Sequence, residues 1–444
     1  MTLSGTVLDA LTLKAREEPV TVMLYESTKG DSVVAKETPL YITRCNKEGA
    51  FEFNNIAGGE YRILALEDGD RNMRLGDDEP MSFSDTLVRA RIKVKPLVAD
   101  STMNDSTAKD STLAPRIVPK AKKEAVAGAI NLLMSKSDKE AQRVVKSDFL
   151  KSGRILIVTH RPLKDLGLEV MHCDTCAEEK IEWRLNEGRD SINIWTLRHD
   201  CDSINIIVRD GDLMQDTLKM KFRKKGRKSR LNAQAKSTLM RSLTGSSVAY
   251  FDTIRFKFEN PIESVVNADS AIEVMNLKDS STVYCGLRIA EDKLNGWADM
   301  KLMQGEKYRL RINAKQVKDI YGEENDTLTM TTEVSTASQY GNMFITIGED
   351  IARMSKGQIV VELMNESKKV IETRIVQGGG KVTFEHLKPG KYNLRAIMDD
   401  NRNKKWDGGD YWEKIQPERV VYFPKTLDLR ANWDMEEKWE KDNE

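Results

Sequence analysis

Two stretches near opposite ends of this 444-residue chain repeat one pattern at a constant offset. Phe53/Phe384, Gly59/Gly390, Tyr61/Tyr392, Ala65/Ala396, Asp68/Asp399, Asp70/Asn401, Asn72/Asn403 and Glu79/Asp410 pair without a gap. An ungapped match of this length marks an internal repeat. In the second copy Tyr392, Leu394 and Ala396 alternate with polar residues, the period-2 mark of a half-buried strand, after the turn dipeptide Pro389-Gly390. In both copies the strand runs into a loop crowded with Asp and Asn. A matched offset preserves every inward-facing position, so the two ends are expected to share one fold, with Tyr61 on Tyr392 and Asp68 on Asp399.

The rest of the chain reads as all-β, in tandem β-sandwich modules joined by linkers. Residues 1–98 hold about seven short alternating runs, among them Val20–Tyr25, Leu40–Thr43, Phe51–Phe53 and Tyr61–Leu66, the spacing of a sandwich. Residues 99–125 change character: Asp100-Ser-Thr, Asp105-Ser-Thr and Asp110-Ser-Thr recur every five residues before Pro115 and Pro119. With so little apolar surface this segment is expected to be a disordered linker. Strand patterns resume over 126–224, as in Arg154–Thr159, Ser191–Trp195 and Ser203–Val208, with Ala125–Lys146 open between a short helix and a hairpin. A basic run from Lys219 to Arg230 suits a solvated connector or a polyanion site. Residues 246–337 form another sandwich pattern, and 338–434 hold the second copy of the repeat.

Seventy basic residues balance seventy acidic ones, so no global field favours nucleic acid. No apolar run approaches the ~20 residues of a membrane helix. The N-terminus opens directly on a strand pattern with no signal peptide, and the expectation is that the chain has lost its beginning.

The acidic loops are the main candidates for chemistry. Asp68, Asp70, Asn72 and Glu79 fall at positions 1, 3, 5 and 12 of a calcium-loop template; Asp399, Asn401, Asn403, Asp407 and Asp410 fall at 1, 3, 5, 9 and 12. Alternating oxygen donors on one bend suit Ca2+, which takes six to eight hard ligands. Met73 and Lys404 stand where the template has Gly, and an ion-free Asx-rich turn is the other reading. The second loop is the better calcium candidate of the two, because Asp399, Asp400, Asp407 and Asp410 would repel one another without a cation. His172, Cys173, Cys176, His199 and Cys201 admit zinc, a disulfide, or neither. Four histidines, with neither a nucleophile elbow nor a phosphate loop, support no enzyme constellation. Trp406, Tyr411, Trp412, Tyr422, Trp433 and Trp439 are available for glycan stacking or for closing the last sandwich.

Asp252–Ile262, Gly305-Glu-Lys-Tyr308 and Asp319-Ile-Tyr-Gly322 resemble the S-layer-type bacterial Ig-like domain. Gly5-Thr-Val-Leu-Asp9, Gly49-Ala-Phe-Glu-Phe53 and Gly59-Glu-Tyr61 resemble the carboxypeptidase-regulatory, transthyretin-like sandwich. With Asp190-Ser-Ile-Asn-Ile-Trp195 and Gln215-Asp-Thr-Leu218 between them, the combination is similar to Ig-like-domain lipoproteins of Bacteroidota, over nearly the whole chain except 99–125. The resemblance implies a non-enzymatic protein of the cell envelope, associated with the outer membrane and working in scaffolding, adhesion or docking of outer-membrane or periplasmic proteins. A glycan-binding protein using the late aromatics, and an accessory subunit of an envelope enzyme, are the alternatives. The same resemblance implies an O-glycosylation pattern, Asp-Ser/Thr followed by a residue such as Thr, Ala, Ile or Leu. It marks Ser101, Ser106 and Ser111; Asp216-Thr217-Leu218 and Asp252-Thr253-Ile254 also match it.

Overall fold

Alternating β-branched and aromatic residues against polar ones put the described chain into strands, and each group of strands closes over its own apolar core. The computed structural model describes residues 1–76, 79–91, 130–137, 142–150, 154–172, 181–196, 203–221 and 240–440. The candidates Ser101, Ser106 and Ser111, and Cys173, Cys176, His199 and Cys201, lie outside them.

The repeat is a repeat of topology. In the first module Ala50–Phe53, Leu3–Asp9 and Ile130–Met134 form one sheet; Tyr41–Arg44, Thr21–Glu26, Glu60–Leu66 and Met81–Phe83 form the other, with Val88–Arg89 beside Glu60–Leu66. In the last module Gly380–Leu387, Gly341–Ile347 and Asp434–Trp439 form one sheet. Val370–Val376, Gln358–Asn365, Gly390–Asp399 and Val420–Tyr422 form the other, with Leu427–Leu429 beside Gly390–Asp399. The strand orders are identical. Tyr61 and Tyr392 repeat even in detail, donating their hydroxyls to the carbonyls of Ala57 and Lys388, each four residues earlier.

Each copy ends with a strand laid parallel to its opening strand. Asp434–Trp439 runs beside Gly341–Ile347, and Ile130–Met134 runs beside Leu3–Asp9. Leu132 and Met134 are buried against Leu3, Val7 and Phe53. The sequence division at 98 and 126 therefore cuts through the first module, whose last strand follows the 99–125 segment. Likewise the boundary at 434 falls at the start of the strand that carries Trp439 into the last core, edge-on to Phe423. Ala125–Lys146 is neither helix nor hairpin in its described part, because Ile130–Met134 and Val144–Phe149 belong to different sheets.

Between the copies lie two further sandwiches. The second module stacks Ile181–Leu185, Ser191–Thr196, Arg154–Thr159 and Val144–Phe149 on Leu166–His172, Ser203–Asp210 and Met214–Lys221. Its Ile/Val alternation buries Ile155, Ile157, Ile192, Ile194, Ile204, Ile206 and Val208. In the third module Thr282–Ile289 changes sheets along its length: Thr282–Cys285 pairs with Ile272–Met275, and Gly286–Ile289 with Gly296–Asp299. That crossing wraps two layers around Phe256, Phe258, Ile272, Leu287 and Leu310. Each such fully buried side chain contributes about 1.5–3 kcal/mol. Among the described residues no helix is long and apolar enough to cross a membrane.

Successive modules touch. The Arg184 Nε donates to the Asp292 carbonyl at 3.0 Å, and the Tyr321 hydroxyl donates to the Thr196 carbonyl at 3.1 Å. At the next junction the His386 ring stacks on Phe251, with centroids 4.3 Å apart, and meets Tyr250 edge-on. His386 sits on the strand Gly380–Leu387 and packs against the third module. Replacing Phe251 by Ala should cost about 0.5–1.5 kcal/mol for the lost ring pairs beyond the area term. The check is faster hydrogen exchange at Gly341–Ile347 and near His386, with the first module unchanged.

Candidate cation loops and the junction between the repeats

Both acidic loops are built on the same physical device. Asp68 accepts from the backbone N–H of Asn72 (3.1 Å) and of Met73 (3.0 Å); Asp399 accepts from those of Asn403 (3.1 Å) and Lys404 (2.8 Å). These bonds hold Met73 (φ 57°) and Lys404 (φ 67°) in the left-handed region where the template has Gly. That conformation costs a non-Gly residue about 1–2 kcal/mol, offset by the carboxylate bonds to backbone donors.

The twelfth position is where the structure departs from the sequence reading. Glu79 accepts from the N–H of Gly69 (2.9 Å) and of Gly76 (3.0 Å). In the other copy the matching N–H groups, of Asp400 and Asp407, donate to Glu418 at 3.0 and 3.2 Å. The counterpart of Glu79 is therefore Glu418, not Asp410. Strand register agrees: Leu64 pairs with Phe83, and its repeat partner Arg395 pairs with Tyr422. Two residues separate Gly76 from Glu79 and ten separate Asp407 from Glu418, so the last module carries eight extra residues here. Asp410 belongs to that insertion. It accepts from the Glu413 N–H at 2.9 Å and from the Ser137 hydroxyl at 3.4 Å, away from the loop it was assigned to.

The two loops differ as cation sites. Carboxylate oxygens of Asp68, Asp70 and Glu79 lie within 4.8 Å of one another. Asn72 stands beside them, its amide donating to Asp70 at 2.6 Å. In the second loop Asn401 and Asn403 both turn their amide N–H groups onto Asp407, while their carbonyl oxygens accept from backbone N–H groups. Asp399 is fully buried and also takes a bond from Gln358 at 2.7 Å, and Asp400 accepts from the Lys356 N–H at 2.7 Å. The repulsion expected among Asp399, Asp400, Asp407 and Asp410 is thus relieved by donors the sequence pattern did not reveal. Glu418 carries what remains: burial, helped by the charges of Asp407 and Asp399, pushes its carboxyl up to about 7. One amide faces the carboxylates of the first loop and two face Asp407 in the second, so the three gathered carboxylates of the first loop are the closer match to calcium's preference for hard oxygens.

The insertion has a function of its own in the architecture. Tyr411 is only 2% exposed, although it lies on a loop, because it is seated in the first module among Met23, Tyr25, Val34, Leu64, Leu66 and Phe83. Its ring meets Phe83 edge-on at 5.2 Å and its hydroxyl donates to the Asp31 carbonyl at 3.1 Å. Burial pushes that hydroxyl up to about 12. Lys414 lies over the Tyr411 ring at 3.8 Å and pairs with Asp31 at 3.1 Å. Around this plug, the Gly409 N–H donates to the Ser135 hydroxyl, Gln416 to Phe83 and Asp85, and the Tyr422 hydroxyl to the Leu11 carbonyl. Leu11 itself packs with Val360, Ile397, Trp406, Val420 and Tyr422 of the last module. A Cβ on Gly408 would lie 2.2 Å from the Lys136 carbonyl oxygen, so that residue must be Gly. Gly408→Val should separate the copies through this clash alone, seen as lost protection of the Gly409 amide.

The late aromatics are divided by this geometry. Tyr411 and Trp439 are buried, Trp406 donates to the Glu418 carbonyl at 3.0 Å, and Trp412 and Trp433 remain about half exposed. The seat for Tyr411 was hidden from sequence reasoning because its walls are scattered over five segments of the first module.

No family model matches the chain, and no curated protein matches it. Solved structures similar to it include the N-terminal part of the bacterial S-layer protein SbsC, at 13% identity, 38% of this chain, 42% of that chain and TM-score 0.22. Another is BcpA, the major pilin subunit of Bacillus cereus, at 10% identity, 99% of each chain and TM-score 0.18. A third is the BSP domain of a biofilm associated protein, at 8% identity, 89% of this chain, 92% of that chain and TM-score 0.18. The chain spans less than half of the SbsC fragment. At such identities and TM-scores the likeness carries no functional argument.

Proposed function

We propose that this chain is a non-enzymatic modular protein of the cell envelope that acts as a scaffold, in adhesion or in docking partner proteins at the outer membrane. The observation that carries this reading is the junction between the repeats: an eight-residue insertion of the last module is spent on seating Tyr411 in the first. The groups that sequence singled out for chemistry serve comparable mechanical ends. Asp68, Asp399 and Glu79 tie loops, and Asp410 braces the insertion. The sequence resemblance to Bacteroidota Ig-like-domain lipoproteins with transthyretin-like modules supports the envelope assignment and the expectation of outer-membrane or periplasmic protein partners. Purification from native membranes tests the reading: a stable co-purifying envelope complex is the expected result, and a partner-free protein in the cytosolic fraction contradicts it. Polysaccharide binding abolished by Trp412→Ala would move the assignment to a glycan-binding protein. On the same reading Ser101, Ser106 and Ser111 carry O-glycans, and an unmodified 99–125 peptide by mass spectrometry of native material contradicts that.

Calcium is proposed as a structural ligand of the first loop, held by Asp68, Asp70, Asn72 and Glu79. An ion that binds only the folded state stabilises it by about 2.7 kcal/mol at a hundredfold excess over Kd. Melting of the full chain should shift upward in calcium relative to chelator. Asp70→Asn with Glu79→Gln should remove most of the shift. Identical melting curves in calcium and chelator contradict the site.

A further inference from the structure

We propose that the junction between the first and last modules also forms between chains, so that the protein assembles head to tail by exchanging its last module with a second copy of itself. The contact is heterologous: the plug, Tyr411 with Lys414, belongs only to the last module, and the seat, Phe83 with Asp31, Tyr25 and Val34, belongs only to the first. Plug and seat lie at opposite ends of the sequence. A chain opened at this junction therefore presents one apolar plug and one complementary seat. A heterologous contact made in trans does not close on itself by symmetry and propagates into longer assemblies unless a ring forms.

Opening also strains the contacts between successive modules, which among the described residues include the bonds of Arg184 to Asp292 and of Tyr321 to Thr196, and the aromatic cluster of Phe251 and His386. Within one chain the plug meets its seat at an effective concentration of about millimolar order for a tethered pair. The closed monomer therefore dominates in dilute solution, and exchange takes over where the protein is crowded or refolds at high concentration.

The test uses the full chain, refolded at increasing concentration and analysed by sedimentation velocity. The wild type should give a monomer when dilute and a concentration-dependent ladder of dimer and longer species. The Tyr411→Ala variant should lose the ladder. Charge exchange keeps the test independent of that variant's folding, because Asp31 and Lys414 are both partly exposed. Asp31→Lys and Lys414→Glu each set like charges against each other in their own junctions. When the two variants are mixed, a junction in trans between one chain of each kind pairs opposite charges again, whereas a junction between like chains does not. The mixture should associate several-fold more strongly than either variant alone, given that an exposed pair is worth roughly a two- to fivefold change in an equilibrium. A wild type that stays monomeric at all concentrations overturns the proposal. So does a ladder that survives Tyr411→Ala, or a mixture that sediments as the sum of its parts.

Discussion

Replacing Tyr411 by Ala is expected to release the last module from the first, with a loss of about 3–5 kcal/mol from the cooperative stability of the pair. That range applies to emptying a buried aromatic site that cannot collapse. Here four of the wall residues, Met23, Tyr25, Leu64 and Leu66, stand on the strands Thr21–Glu26 and Glu60–Leu66, whose backbone pairing holds them in place. The ring also gives up its edge contact with Phe83 and its hydroxyl bond to the Asp31 carbonyl. Hydrogen exchange should accelerate at Val33–Lys36 and across Gly408–Gln416, while the third module keeps its protection. Unchanged exchange at those segments would show that Tyr411 is not a plug.

The second large effect falls on a residue that the sequence assigns to the wrong module. Met134→Ala should destabilise the first module by about 2–5 kcal/mol and leave the second untouched. Met134 is fully buried in the core of the first module, and its strand is the parallel partner of Leu3–Asp9. Amides of Gly5–Asp9 should lose protection together with those of Ile130–Met134. Loss at Arg154–Thr159 instead would place the strand with the second module.

What could be read from sequence was what is local. Tyr61 and Tyr392 announce their strands by alternation, and the shared offset from Phe53/Phe384 to Asn72/Asn403 is a shared topology in the structure. The offset misleads at Glu79/Asp410 because an eight-residue insertion follows Asp407, and one acidic residue happens to fall where the ungapped match puts the twelfth position. The bonds of Glu418 to Asp400 and Asp407 expose the true correspondence, and they depend on tertiary placement that no spacing rule supplies. Ile130–Met134 was missed for a related reason. A parallel pairing across the long 99–125 segment leaves no local mark, whereas hairpin partners stand next to each other in the chain. Gly408 is a loop glycine like any other in sequence, and only the Lys136 carbonyl beside it makes it obligatory.

The two copies of the repeat are joined, plug to seat, within one folded chain. Zero-length carbodiimide cross-linking of the dilute monomer, read by mass spectrometry, tests it most directly. Such a reagent joins an amine to a carboxylate only where the two already touch. The expected product is a bond between Lys414 and Asp31, whose charged groups lie 3.1 Å apart, together with the internal reference pair Lys29–Glu37 of the first module. Recovery of the Lys29–Glu37 product without any Lys414–Asp31 product in the monomer would contradict it.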